Sequence, residues 1–342
     1  MPRAAIVSCS GPRLTPEERR FVKNADPLGL IVFARNINNR QQLIDLFKSF
    51  RDEVGREDAP VLIDQEGGRV ARLRPPHWRA TEPAERYAAL YRDNPAGALE
   101  AACLNAGLMA AELAELGITV DCAHDCDLSF PDADRQVVGS RSFGADPAQV
   151  VALARAVADG LLGQGILPVI KHMPGHGRAK VDSHKTLPTV DADVETLRAT
   201  DFAVFRALAD LPWGMTGHLL FSAIDPAHPA TQSPTIIQDI IRRDFGFEGF
   251  LVSDDLCMGA LGGDMGERVE LAVEAGCDTV LICDGDLDRT RAGVERAPEL
   301  AGEALRRYRT AESRRLKARR EGFDVAAARA RHDDLLGLGR AA

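Results

Sequence analysis

The chain has 342 residues, 45% hydrophobic and 27% charged, with a formal net charge of −9. Such a composition suits an ordinary globular protein with material for a sizeable core. The excess of acid argues against a nucleic-acid partner, which needs clustered Lys and Arg, and against docking on anionic membranes.

Short β-branched runs alternate with segments of helical period along most of the chain. The first strand is predicted over residues 4–9. Thr15 then caps a helix running to Lys23, with Glu18 three residues on, as in a capping box. There follow a strand at 29–34, a helix at 39–53, a strand at 61–65 and a helix at 95–116. Strands at 118–122, 167–171 and 213–218 alternate with helices at 147–164, 194–208 and 234–243. A strand at 250–254, a helix at 267–275 and a strand at 279–283 complete the series. Several strands are apolar without alternation, as when both faces are buried. Eight strands in βα units predict an α/β protein built as one (β/α)8 TIM barrel with extended βα loops. One catalytic domain is expected over 1–342, the barrel over about 4–293 and a helical segment, 294–342, packed around its outside.

Three connections, 72–94, 123–146 and 172–193, are too long for tight turns and follow the C-terminal ends of strands, where barrel active sites form. The beginning of the chain lacks the long apolar run of a secretory leader, and no stretch reaches the roughly 18 apolar residues of a membrane span. A cytoplasmic location is therefore expected. The seven cysteines are odd in number and irregularly spaced, which fits reduced thiols. Cys122 and Cys126 bracket His124 and Asp125, but no second Cys/His pair follows at zinc-like spacing.

Polar residues close the predicted strands: Asp64, Asp121, Lys171 with His172, His218, Asp254 with Asp255, and Asp284. In a closed barrel these side chains meet at one rim. Carboxylates alternating with cationic donors suit sugar hydroxyls, each of which donates and accepts. The densest stretch is Lys171-His172-Met173-Pro174-Gly175-His176-Gly177, continuing to Asp182-Ser183-His184. Pro174, Gly175 and Gly177 exclude a helix that would present two histidines on one face. A proton-transfer pair fits better: Asp182 orients the His184 ring and raises its basicity, on a loop whose glycines let it move. A metal-dependent hydrolase using His172, His176, His184 and Asp254 stays open as an alternative. Asp254 on a rigid strand end suits attack at an anomeric carbon. By strand alternation Asp255 then faces the helices and bonds backbone, though the two roles could be exchanged.

These residues resemble glycoside hydrolase family 3, in particular its single-domain β-N-acetylhexosaminidases of peptidoglycan recycling. Four stretches carry the resemblance: Asp64-Gln65-Glu66-Gly67-Gly68-Arg69-Val70-Ala71-Arg72, Gly139-Ser140-Arg141-Ser142-Phe143, Lys171 to Gly177 with Asp182-Ser183-His184, and Val252 to Met258. The resemblance implies Asp254 as nucleophile, His184 as general acid/base and Asp182 as its partner. It implies that Asp64, Arg72, Arg141, Lys171 and His172 hold N-acetylglucosamine, and that His176 is structural. Met173 and Cys257 depart from the family's common Phe and Ser. A retaining exo-hydrolase of muropeptides is expected, without metal or organic cofactor. It would act on a small sugar as a monomer or homodimer, with no nucleic-acid or membrane partner. Another β-glycosidase on the same scaffold, or a non-catalytic sugar-binding barrel, are the other readings.

Overall fold

The computed structural model describes residues 1–131 and 137–338. Residues 132–136 of the predicted 123–146 connection and 339–342 of the C-terminal segment lie outside the described residues.

The barrel expected from the alternation is what the chain forms. Its strands are β1 (Arg3–Val7), β2 (Pro27–Val32), β3 (Val61–Ile63), β4 (Val120–Asp121), β5 (Leu167–Met173), β6 (Trp213–Thr216), β7 (Phe250–Asp255) and β8 (Thr279–Ile282). They close in chain order, every neighbouring pair parallel. Period two sorts each strand between two cores. Ile6, Ile31, Leu62, Val169, Val252 and Leu281 fill the barrel interior, as does Leu28, which departs from the alternation where the β1–β2 register shifts. Val7, Leu30, Val32, Ile63, Ile170, Leu251 and Ile282 face the surrounding helices. Strand β4 is shorter than predicted, although single backbone bonds continue on either side of it, from Thr119 to Val61 and from Cys122 to Ile63, and the Asp121 carboxylate accepts the Gln65 amide at 2.9 Å.

The helices begin where capping chemistry allows. In α1 (Pro16–Ala25), Thr15 Oγ1 accepts the Glu18 amide and Glu18 accepts the Thr15 amide, so the predicted capping box forms. The segment read as one helix over 194–208 is two, Val194–Ala199 and Asp201–Ala207. Thr200 Oγ1 bonds back to the Thr196 carbonyl at 2.7 Å, which competes with the helical ladder at the break. The predicted 234–243 helix is a π-helix over Thr235–Asp244.

The C-terminal segment is not simply wrapped around the outside as expected. Its first helix, Gly302–Ala318, seats Leu305 and Tyr308 against the interior core at the N-terminal mouth. Tyr308 packs edge-on against Phe250 and Trp213, with centroids 5.6 and 6.4 Å away. The helix thereby seals the end of the barrel opposite the loops. Among the described residues no helix is long and apolar enough to cross a membrane.

Candidate active site

At the C-terminal mouth lies a cleft of about 400 Å³. Asp64, Arg72, Arg141, Lys171, His172, Asp182, His184 and Asp254 all line it. These are the eight residues to which the family resemblance gives catalytic or sugar-holding roles; Asp121, His218 and Asp284, also expected at this rim, do not line the cleft, and the first two are fully buried. Glu66, Arg69, Val70 and Val137 line it with them.

Its floor grows from two strand ends. Beyond β3, Gln65–Gly67 pairs antiparallel with Val70–Ala71, folding the chain back so that Arg72 returns to Asp64. Buried Gln65 clamps this hairpin by accepting the Arg72 and Leu73 amides and donating to the Leu73 carbonyl. On β5, neighbours Lys171 and His172 should face opposite sides. The register against β6 slips there: Ile170 pairs with Gly214, yet Met173 pairs with Thr216. This bulge lets both side chains reach the cleft.

The charges interlock. Lys171 Nζ lies 2.9 Å from Asp64 and 2.7 Å from Glu66. Arg72 reaches the other Asp64 oxygen at 2.9 Å, and Arg141 grips Glu66 with two bonds of 2.8 Å. Burial opposes ionisation of Asp64 and Glu66, but Lys171 with Arg72 or Arg141 outweighs it and holds both below the usual carboxylate range. Lys171 is held above its ordinary value: burial opposes its charge, and Asp64 and Glu66 overcome it. Glu66 was quoted within a motif but given no role. It is the carboxylate that holds Lys171 and Arg141 together, and its place two residues after Asp64 was the available signal.

A second layer orients His172. Its Nδ1 lies 2.7 Å from Asp127, which also accepts the His176 amide at 2.5 Å. Burial depresses the His172 pKa to about 4. The neutral ring therefore donates from Nδ1 and leaves Nε2 as an acceptor. Burial pushes Asp125 and Asp127 up to about 7, against Arg141 and against the His176 amide respectively. Asp125, Asp127 and His172 offer ligand atoms within 4.8 Å of one another. They are poor metal ligands as arranged. Asp127 is spent on His172 and His176, and Asp125 takes the Asp127 amide at 3.0 Å. The remaining Asp125 oxygen faces Arg141 Nε at 3.1 Å, an ion pair that lacks hydrogen-bond geometry. The cation of this cluster is thus a guanidinium.

Asp254 sits at a second bulge: Val252 pairs with Thr279 of β8, and Asp255 with Leu281. Asp255 accepts the Cys257 and Cys283 amides at 2.9 and 3.1 Å, which leaves Asp254 at the cleft. Burial would raise the Asp254 pKa, but His172, His218 and the Asp255 amide bring it down to about 2. His218 bonds the Asp255 carbonyl through Nε2 at 3.0 Å and Thr231 through Nδ1 at 2.8 Å. Nε2 therefore carries the proton, and the ring fixes the peptide behind Asp254.

In the same cleft, His184 Nδ1 lies 2.8 Å from Asp182 Oδ1, which also accepts the His184 amide at 3.0 Å. Burial opposes the Asp182 charge, but these two bonds hold its pKa below the ordinary value. The His184 side chain is 73% exposed, so Nε2 is reachable by water. The loop is tethered at several points. Arg178 pairs with buried Asp201 at 2.8 Å, and His176 Nε2 meets Ser183 Oγ at 3.0 Å. Gly177 lies so near the Leu128 carbonyl that a Cβ would sit 2.1 Å from its oxygen. That glycine serves close approach rather than hinge motion.

A barrel carrying a fixed carboxylate, an Asp–His pair in the same cleft and a charged cradle for hydroxyls has the equipment of a sugar hydrolase. Comparison with known proteins makes this specific. The model of the glycosyl hydrolase family 3 N-terminal domain matches residues 4–304. The chain is 37% identical over 327 residues to a β-hexosaminidase of Pseudomonas aeruginosa, covering 94% of this chain and 92% of that protein. A β-hexosaminidase of Stenotrophomonas maltophilia is 34% identical over 339 residues, covering 96% of each. NagZ from Neisseria gonorrhoeae, solved with N-trifluoroacetyl-D-glucosamine, superposes with a TM-score of 0.85 at 29% identity, over 98% of this chain and 99% of that one. The chain belongs to glycosyl hydrolase family 3, and it is a glycoside hydrolase of the β-N-acetylhexosaminidase class.

Proposed function

We propose that the protein is a cytoplasmic, retaining exo-β-N-acetylglucosaminidase of cell-wall recycling. It removes terminal N-acetylglucosamine from GlcNAc-β-1,4-anhydro-MurNAc and its peptides. Asp254 attacks the anomeric carbon through an oxocarbenium-like transition state and forms a glycosyl ester, while His184 protonates the departing oxygen. His184 then takes a proton from water as the ester is hydrolysed, so the β configuration is restored. Asp182 holds the ring with Nδ1 protonated and stabilises the imidazolium. Asp64, Arg72, Arg141, Lys171 and His172 hold the sugar hydroxyls and the N-acetyl group.

The observation that carries this reading is the shared cleft, lined by both Asp254 and the Asp182–His184 pair. Two further features support it. The Asp254 pKa of about 2 supplies the anion that a nucleophile needs. An imidazolium acid also avoids repulsion with an anionic sugar acid, where a carboxylate would add another negative group. The NagZ relative held an N-acyl-glucosamine analogue.

The test compares aryl N-acetyl-β-D-glucosaminide with aryl β-D-glucoside. The proposal expects turnover of the first in large excess. Preference for the glucoside would replace it with a β-glucosidase.

A further inference from the structure

An exposed imidazole has little packing to hold it, so its backbone must be placed by something else. At His184 both backbone groups are engaged. Its amide donates to Asp182 Oδ1 at 3.0 Å, and its carbonyl accepts the Gly259 amide, also at 3.0 Å. The adjacent Ser183 carbonyl accepts the Ala260 amide at 3.2 Å. Gly259 and Ala260 belong to the turn that follows β7, the strand carrying Asp254. The loop bearing the Asp–His pair therefore rests on the turn leading out of the Asp254 strand.

The approach is too close for a side chain. A Cβ on Gly259 would lie 2.8 Å from the His184 oxygen, 2.9 Å from the Lys185 oxygen and 3.2 Å from the Lys185 carbonyl carbon. All three are backbone atoms, so no side chain can swing aside to make room. Gly259 is not among the residues with positive φ, so alanine suits its own conformation and the clash falls on the loop. Gly262, just beyond that turn, has nothing within 4 Å of a built Cβ.

We infer that Gly259 is a positioning residue for the acid/base: its missing side chain lets the 183–185 backbone seat on the turn after β7, fixing His184 relative to Asp254. This rests on the role of His184 given above. An Ala at 259 lifts the loop, lengthens the reach of the imidazole to the glycosidic oxygen and to the incoming water, and leaves Asp254 in place.

The experiment uses the full chain with Gly259→Ala, Gly259→Val, Gly262→Ala and His184→Ala, and N-acetyl-β-glucosaminides with leaving groups from 2,4-dinitrophenol to methanol. For Gly259→Ala, kcat/KM should fall on the order of 10- to 100-fold with the poor leaving group. It should hold nearly constant with dinitrophenolate, which needs no proton. Gly259→Val should deepen the selective loss, Gly262→Ala should match the parent, and thermal melts should coincide. Azide, a nucleophile that needs no base, should raise kcat of Gly259→Ala on the dinitrophenyl substrate. Equal losses on both leaving groups, or parental rates in both Gly259 variants, would overturn the inference. If His184→Ala itself loses activity equally on both, the acid/base assignment fails instead.

Discussion

Asp254 owes its charge to its neighbours. Burial alone would favour the protonated acid, but His172, His218 and the Asp255 amide reverse that and bring the pKa to about 2. Asp254→Ala should cut kcat by on the order of 10⁴-fold or more while the melt stays cooperative; activity near the parent's would remove it from the mechanism. The folded-state pKa is depressed, so the carboxylate's contribution to stability is complete above about 4 and lost as pH falls through about 2. With a dinitrophenyl substrate, kcat/KM should stay flat from about pH 5 upward, because neither Asp254 nor the acid proton changes its role there. An alkaline loss with that substrate would contradict the assignment of His184. Lys171 offers a stability test. Its side chain is 4% exposed and it faces Asp64 and Glu66 together. Lys171→Met should cost about 3–5 kcal/mol in urea unfolding, since two buried carboxylates lose their common cation.

At the scale of elements, the loop after β5 behaves as a tethered arm. Arg178 ties it to Asp201 at the start of the Asp201–Ala207 helix and lies 4.0 Å from the Phe130 ring centroid. Arg178→Ala should lower the melting temperature more than Asp201→Asn, because only the first strands a buried carboxylate. The reverse order would show that the arm is held elsewhere. The order and number of strands were legible from apolar runs bounded by turns, because burial on both faces writes that pattern into sequence. The bulges at Lys171–His172 and Ser253–Asp254 were not. Register against a neighbouring strand is set by pairing across the sheet, and neither bulge residue is a glycine that would have marked it. Strict alternation would have turned His172 from the cleft, so the motif found it where periodicity could not. Asp125 and Asp127 went without roles for a related reason: their work is done on His172, His176 and Arg141, which are distant in sequence.

Across the whole molecule, the two mouths of the barrel divide the labour. The loops at one end carry the charged cleft, while the Gly302–Ala318 helix seals the other with Tyr308 on Phe250 and Trp213. Amphipathic period made that helix visible but not its seat, since a stripe of apolar residues fits an end of a barrel as well as its side. Tyr308→Ala should destabilise by roughly 2–4 kcal/mol and leave kcat and KM unchanged well below the melt. A change in KM would mean that the two ends are coupled. The central claim, that Asp254 and His184 perform two displacements on one sugar, is tested most directly by the first anomer released. Proton NMR during rapid hydrolysis of an aryl N-acetyl-β-D-glucosaminide should show the β anomer forming first and mutarotating later, whereas initial α product would mean a single displacement by water and contradict the account.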